Sequence, residues 1–269
     1  MKKINSFKPF LSLTSYHTVS KGKGGIQMGI QTVFERTEKK YIINAKQRRQ
    51  LLEKIEEYIK PDEYGESTIC SLYFDTDDYR LIRNSIEKPV YKEKLRLRSY
   101  STPKQDSKVF LELKKKYKGI VYKRRISLPL CVATDWICTK NSHPHNSQIV
   151  KEIDYFMQYY ETLHPTVFLS YEREAYYSID GSDFRVTFDE NILCRQTDLS
   201  LETNAYGTPI LDSGLSLMEI KCSGGIPLWM AHLLSEEHIY KTSYSKYGTA
   251  YQTLIFPNIK GDFTNGNII

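Results

Sequence analysis

Apolar and polar residues alternate strictly over several stretches of the chain, and where they do, the polar position tends to be charged. From Lys94 to Tyr100 the order is Lys-Leu-Arg-Leu-Arg-Ser-Tyr. Successive side chains of a strand point to opposite faces. A strand here sets Lys94, Arg96 and Arg98 on one face and Leu95 and Leu97 on the other. The next run, Val109 to Lys114, puts Glu112 and Lys114 opposite Leu111 and Leu113. Gly119 marks a turn, and Ile120 to Leu128 predicts a third strand with Lys123 and Arg125 in phase.

The alternation returns far away in the chain. Val33–Ile43 carries Arg36, Glu38 and Lys40 in phase, and Thr166–Ser178 carries Tyr171 and Arg173. Phe184–Ile192 carries Arg185, Thr187 and Asp189, and Leu215–Cys222 carries Glu219 and Lys221 opposite Met218 and Ile220. Thr68–Phe74 reads as a short buried strand. Helical spacing predicts helices over Ala45–Ile59, with Asn44 as cap and Pro61 as stop, and over Tyr79–Ser85, Gln148–Tyr160 and Pro227–Ile239. A last helical stretch is expected near Ala250–Ile255, and Pro129–Ser147 and Thr197–Gly214 read as irregular.

Eight strands are thus expected, nearly all charged on one side and apolar on the other. One outcome is a half-exposed sheet with a solvated basic side. The other is an α+β fold in which an eight-stranded antiparallel β-barrel forms a tunnel with a charged interior, flanked by helices that cover the apolar faces outside. Burying so many cations without partners is prohibitive, so the bore must be wet and must expect an anionic guest.

Charge sharpens this picture. The segment Lys92–Arg125 holds thirteen Lys or Arg and three Asp or Glu, a net +10, while the 269-residue chain as a whole carries +6. The five cysteines, Cys70, Cys131, Cys138, Cys194 and Cys222, form no Cys-x-x-Cys pair, which argues against a zinc ribbon or a disulfide framework and fits a reducing cytoplasm. His143-Pro144-His145 has no third ligand nearby and reads as a polar loop. The acids of Asp75-Thr76-Asp77-Asp78 lack the glycine and glutamate of a calcium loop, so a helix-starting turn is the better reading. No apolar run approaches the roughly 18 residues of a membrane span. Residues 1–32, rich in Lys and Gly, are expected to be a flexible basic tail with Met28 as an alternative start, and residues 33–269 a single domain.

The expected inward inventory mixes cations with Glu38, Glu112, Asp189 and Glu219. Arg forks match phosphate oxygens, and Lys supplies compact charge. Carboxylates in the same bore repel phosphate unless a divalent metal bridges them, so the mixture favours a metal-bound polyphosphate group over nucleic acid. No P-loop or glycine-rich phosphate cradle is present.

The motifs Arg36-x-Glu38-x-Lys40-Tyr41, Tyr73-Phe74-Asp75-Thr76, Lys94-Leu95-Arg96-Leu97-Arg98-x-Tyr100, Glu112-Leu113-Lys114 and Lys123-Arg124-Arg125 come in that order. Tyr171-x-Arg173, Arg185-Val186-Thr187-Phe188-Asp189, Glu219-Ile220-Lys221 and Ser245-Lys246-Tyr247 follow. Together they resemble the VTC domain, the polyphosphate polymerase module of the vacuolar transporter chaperone complex, within the triphosphate tunnel metalloenzymes that also include the CYTH proteins. That superfamily often opens with Glu-x-Glu-x-Lys; Arg36 replaces the first Glu here, as the VTC branch tolerates.

The resemblance implies a polymerase that transfers the terminal phosphoryl group of ATP to a growing polyphosphate chain. It implies phosphate-gripping roles for Lys40, Arg96, Arg98, Lys114, Lys123, Arg173, Arg185 and Lys246, to which the inward phase adds Lys94 and Lys221. Lys40, Arg96, Arg98, Arg173 and Glu219 would carry the catalysis. Glu219 leads as ligand for Mn²⁺ or Mg²⁺, with Glu38 and Glu112 behind it. The implied partners are ATP and inorganic polyphosphate, without nucleic acid or membrane span, and the sequence names no protein partner. A triphosphatase of the same tunnel fold and a non-catalytic polyphosphate or nucleic-acid binder remain the alternatives.

Overall fold

The protein, seen in a computed structural model, is described over residues 37–118, 120–140 and 144–259. The expected basic tail, Arg36, Gly119 and His143 lie outside the described residues. Strand β1 (Thr37–Asn44) leads into α1 (Ala45–Ile55), where Asn44 accepts from the Gln47 amide and the Gln47 side chain accepts from the Asn44 amide. This reciprocal cap satisfies two otherwise orphaned donors. Short β2 (Ile59–Pro61), β3 (Ser67–Asp75) and α2 (Arg80–Ile86) follow. Then come β4 (Tyr91–Tyr100), β5 (Lys108–Tyr117) and β6 (Ile120–Pro129). Helices α3 (Leu130–Thr139) and α4 (Gln148–Tyr159) precede β7 (His164–Ser178), β8 (Arg185–Arg195), β9 (Thr208–Pro209) and β10 (Leu215–Cys222). Helix α5 (Leu228–Glu236), β11 (Lys241–Thr242), α6 (Lys246–Ala250) and a π-helical turn (Tyr251–Ile255) close the described chain.

The strands form one antiparallel sheet of eleven in the order β11-β1-β10-β8-β7-β3-β4-β5-β6, with β2 and β9 attached to β7 and β8. The expectation of a closed eight-stranded barrel is corrected: the path ends at β6 on one side and β11 on the other, without a hydrogen-bonded seam. The sheet nevertheless curls. Lys114 of β5 lies 3.8 Å from Glu38 of β1, although five strands separate them in the sheet order. The physical reason for the open seam is the content of the concave side. Paired strands lie about 4.8 Å apart, and an eight-stranded ring is only just wide enough for side chains to fill. Long hydrated cations on facing strands need more room than that.

The outer face is apolar and covered. Leu95, Leu97, Leu111, Leu113, Ile126 and Leu128 pack with Trp136 of α3 and with Ile153, Phe156 and Met157 of α4. Across the sheet, Tyr41, Ile43, Val186, Phe188, Met218 and Ile220 pack with Leu51 and Ile55 of α1 and with Met230 and Leu234 of α5. A third cluster sits on the concave side at one end. There Ile69, Tyr73, Val167, Leu169 and Leu217 meet Tyr247 and Ala250 of α6 and Tyr251 and Ile255 of the π turn. The concave face is therefore apolar and covered at one end and charged at the other.

Helix α3 lies where an irregular segment is expected. Its β-branched and cysteine residues have low helix propensity. Yet Leu130, Ala133, Trp136 and Ile137 form a buried stripe at helical spacing, and the Trp136 indole donates to Asp154 at 2.8 Å. Tertiary packing decides the conformation there. The Asp75 turn is as expected. Buried Asp75 accepts from the amides of Thr76, Leu81 and Ile82, holding the start of α2, and from the Tyr247 hydroxyl at 2.9 Å.

Candidate phosphate and metal site

Period two delivers the charged residues to the concave face, and curling brings distant strands into contact. Two carboxylate hubs result. Glu112 on β5 is almost fully buried, and one of its oxygens pairs with Arg96 at 2.6 Å. The other pairs with Lys123 at 2.7 Å and with Arg125 at 2.9 Å. Burial opposes its charge, but Arg96, Arg98 and Lys123 hold the carboxyl well below the usual range.

The second hub joins β1, β7, β8, β10 and α6. Glu219 pairs with Lys221 at 2.8 Å, Lys40 at 3.1 Å, Arg173 at 3.5 Å and Lys246 at 3.6 Å. Fully buried Asp189 receives both forks of Arg173, at 2.5 and 2.7 Å, and the Lys246 ammonium. Burial works against both carboxylates, and these cations keep both ionised. Lys40 also meets Glu38 at 3.4 Å, so Glu38 and Glu219 converge on one ammonium. Burial would raise Glu38, yet Lys114, Lys221 and Lys40 hold it down to about 2. Ser245 caps α6 by accepting from the Gly248 amide, and so aims Lys246 inward, where it is buried rather than an exposed helix-start lysine.

Two of the cations expected in the site have no carboxylate within ion-pair distance among the described residues. Buried Arg98 donates to the hydroxyls of Tyr171, at 3.0 Å, and Ser71, at 3.3 Å. Lys94 donates to Ser245 at 3.3 Å and lies 6.0 Å over the Tyr247 ring. Burial pushes the Lys94 ammonium down to about 8, with Lys114, Lys92 and Lys40 adding repulsion. Lys123 likewise falls to about 8, because burial outweighs its pairing with Glu112. A guanidinium without an ion-pair partner beside an ammonium disfavoured by burial is a site that negative charge would stabilise.

Of the residues expected in the site, Arg185 stands apart. It is half-exposed at the rim and pairs with Asp62 at 2.9 Å. Three residues on the face were not expected as contributors. The Tyr73 hydroxyl accepts from Arg96 at 3.0 Å. Burial would raise this phenol, but Arg96, Arg98 and Lys94 bring it down to about 8. Ser71 and Tyr73 share a phase with Ile69, which is the signal that could have found them in a strand that reads as apolar throughout. Thr187, opposite Glu219 in the register, is buried with a hydroxyl that has no partner among the described residues.

A divalent metal fits part of this set. Among the described residues no three His, Cys, Asp or Glu side chains converge to hold one alone. Glu219 and Glu38 both approach the Lys40 ammonium, and Thr187, opposite Glu219 in the register, carries an orphaned hydroxyl; this oxygen set suits a hard cation that completes its shell with phosphate oxygens. Glu112 fits less well, since the charged groups around it are cations, whereas Glu219 has Glu38 and Asp189 as carboxylate neighbours. The groove between α1 and α5, lined by Glu53, Lys54, Glu56, Glu57, Tyr58 and Trp229, has three carboxylates to one ammonium and is unsuited to phosphate.

The sequence pattern of the VTC domain matches residues 35–255. The chain belongs to the VTC domain family. No curated protein matches the chain. Solved structures similar to this VTC domain include a candidate adenylate cyclase from Vibrio parahaemolyticus, at 12% identity and a TM-score of 0.45, covering 80% of this chain and 96% of that one. A candidate adenylyl cyclase from Hippeastrum, described as having a dominant triphosphatase activity, matches at 15% identity and a TM-score of 0.49, covering 80% and 94%. A protein from Pyrococcus horikoshii matches at 12% and 0.42, covering 84% and 98%. Among the described residues no helix is long and apolar enough to cross a membrane.

Proposed function

We propose that this VTC domain is a metal-dependent phosphotransferase that moves the terminal phosphoryl group of ATP onto a polyphosphate chain. The observation that carries the reading is the pair of inward cations without carboxylates, Arg98 and Lys94, set beside cations already engaged with Glu219. A phosphate chain supplies the negative charge that this face lacks.

In this reading Arg96, Arg98, Lys94, Lys114 and Lys123 hold the phosphates from one wall, and Lys40, Arg173, Lys221 and Lys246 from the other. Arg185 meets the guest at the rim. Glu219 and Glu38 would hold Mg²⁺ or Mn²⁺, which supplies charge neutralisation at the transferring group. Glu112 serves instead as the counter-ion that fixes Arg96, Lys123 and Arg125. The acceptor is a phosphate oxygen already ionised near neutral pH, so no strong general base is required. Alignment and charge neutralisation then account for the rate.

A second reading takes water as acceptor. It is favoured by one feature: α6 and the π turn cover the apolar end of the concave face, which suits a short guest better than a threading chain. Incubation with ATP and Mn²⁺, followed by gel separation, tests both. A ladder of long chains supports polymerisation. Free phosphate alone overturns it in favour of hydrolysis, and intact ATP with tightly held polyphosphate would mark a binder.

A further inference from the structure

The inward row of β4 runs Lys94, Arg96, Arg98 and ends in Tyr100. The first two side chains are held among polar partners in the face and Arg98 is buried, but Tyr100 is 49% exposed. Its ring is fixed from two sides. It packs edge-on against Phe110 at 5.6 Å, and its hydroxyl accepts from Arg125 Nη2 at 2.9 Å. Arg125 in turn lies 3.8 Å over the Phe110 ring and is tied to Glu112. A half-open aromatic ring, pre-organised at the end of a row of phosphate-seeking cations, is more than a strand residue left in water.

We propose that Tyr100 is the stacking platform for the nucleobase of a nucleoside triphosphate whose phosphates lie along Arg98 and Arg96. This rests on the triphosphate reading above and adds to it the nucleoside end of the donor. Two residues along a strand span about 7 Å, so the ring lies one step outward from the Arg98 guanidinium, on the side away from the covered end. The opposite direction is closed to a nucleoside, because Ser245 and Tyr247 at the start of α6 lie against Lys94 and Tyr73 there. The phosphates therefore point inward and the base outward. A linear polyphosphate has no ring to place on Tyr100, so the residue separates donor from acceptor chemistry. Stacking reads a π face rather than a base edge, so the subsite accepts adenine and guanine alike.

Titration calorimetry in EDTA, where neither ligand turns over, compares ATP with inorganic tripolyphosphate. Tyr100→Leu removes the ring, and Tyr100→Phe removes only the hydroxyl that meets Arg125. The expected result is an ATP affinity lowered roughly fivefold or more in Tyr100→Leu, an unchanged tripolyphosphate affinity, and ATP binding retained in Tyr100→Phe. Equal losses for both ligands, or a loss in Tyr100→Phe as large as in Tyr100→Leu, would mean that Tyr100 only positions Arg125, and would overturn the subsite while leaving the triphosphate reading intact. Unchanged affinities throughout would also overturn it. Failure of the unaltered protein to bind either ligand would overturn the triphosphate reading itself and the subsite with it.

Discussion

The two carboxylate hubs of the concave face look alike in composition and differ in their neighbours. Glu112 is almost fully buried and faces three cations from β4 and β6, all within 2.9 Å. Glu219 also has a cation on each oxygen, four in all from four elements and out to 3.6 Å, but Glu38 and Asp189 are its charged neighbours and Thr187 lies opposite it in the register. The difference lies in carboxylate company. A carboxylate held among cations alone fixes side chains and contributes to the fold. Grouped carboxylates can share a metal and its phosphates. Net charge alone would not distinguish them, because both carboxylates are held ionised by neighbouring cations.

The sharpest way to break the comparison is to neutralise each carboxylate in turn. Glu219→Gln is expected to lower turnover by about a hundredfold or more, while tripolyphosphate binding measured by calorimetry is retained. Glu112→Gln leaves Arg96, Lys123 and Arg125 without their shared counter-ion. Breaking a buried ion pair costs about 3–5 kcal/mol, and the partial exposure of these cations reduces that to about 2 kcal/mol of folding stability. Denaturant unfolding should register the loss, and added tripolyphosphate should restore much of it. If instead Glu112→Gln abolished the metal requirement of turnover and Glu219→Gln did not, the roles assigned to the two hubs would be reversed.

A smaller effect is expected at the cations without carboxylates. Arg98→Ala removes a buried guanidinium whose hydrogen-bond partners among the described residues are the hydroxyls of Tyr171 and Ser71. Charge-assisted hydrogen bonds contribute about 1.5–3 kcal/mol, so tripolyphosphate affinity should fall about tenfold. Stability should change little, since the guanidinium is buried without an ion pair yet helps to hold Glu112 ionised. An unchanged affinity would mean that phosphate does not reach this part of β4.

Much of this was legible in the sequence, because charged and apolar residues alternate in nearly every long strand. The period fixed which side chains share a face, and the apolar positions did pack outward beneath α1, α3, α4 and α5. Closure was not legible, since pairing between the first and last strands depends on what fills the space between them. Nor was the covering of one end by α6. Leu169 and Leu217 lie in phase with charged neighbours on their strands, yet pack in an apolar cluster with Tyr247 and Tyr251. Tyr73 and Thr187 were hidden for a related reason: uncharged residues in phase with charges look like filler until the fold places them beside Arg96 and Glu219. Carboxylate company was the least legible property, because Glu112-x-Lys114 and Glu219-x-Lys221 are the same pattern on paper.

The mildest test of the comparison is pH, and its sign separates binding from folding. Lys94 and Lys123 titrate near 8 in the folded protein, below the ordinary lysine range, and Tyr73 titrates near 8, below the ordinary phenol range. Between pH 7 and 9 the two lysines lose positive charge and Tyr73 gains negative charge, and each change weakens attraction for a polyanion. Tripolyphosphate affinity should therefore be full at about pH 7 and below, and fall roughly fivefold by pH 9. Folding stability should move the other way over the same window. The unfolded chain still holds these three protons where the folded protein has begun to release them, and stability rises with pH wherever the unfolded state binds more protons. Calorimetry and unfolding measured in parallel at pH 7, 8 and 9 should diverge. If affinity and stability declined together, the loss of binding would be a loss of fold. If affinity did not change, the phosphates would be held by the Glu219 side of the face without help from Lys94 and Lys123.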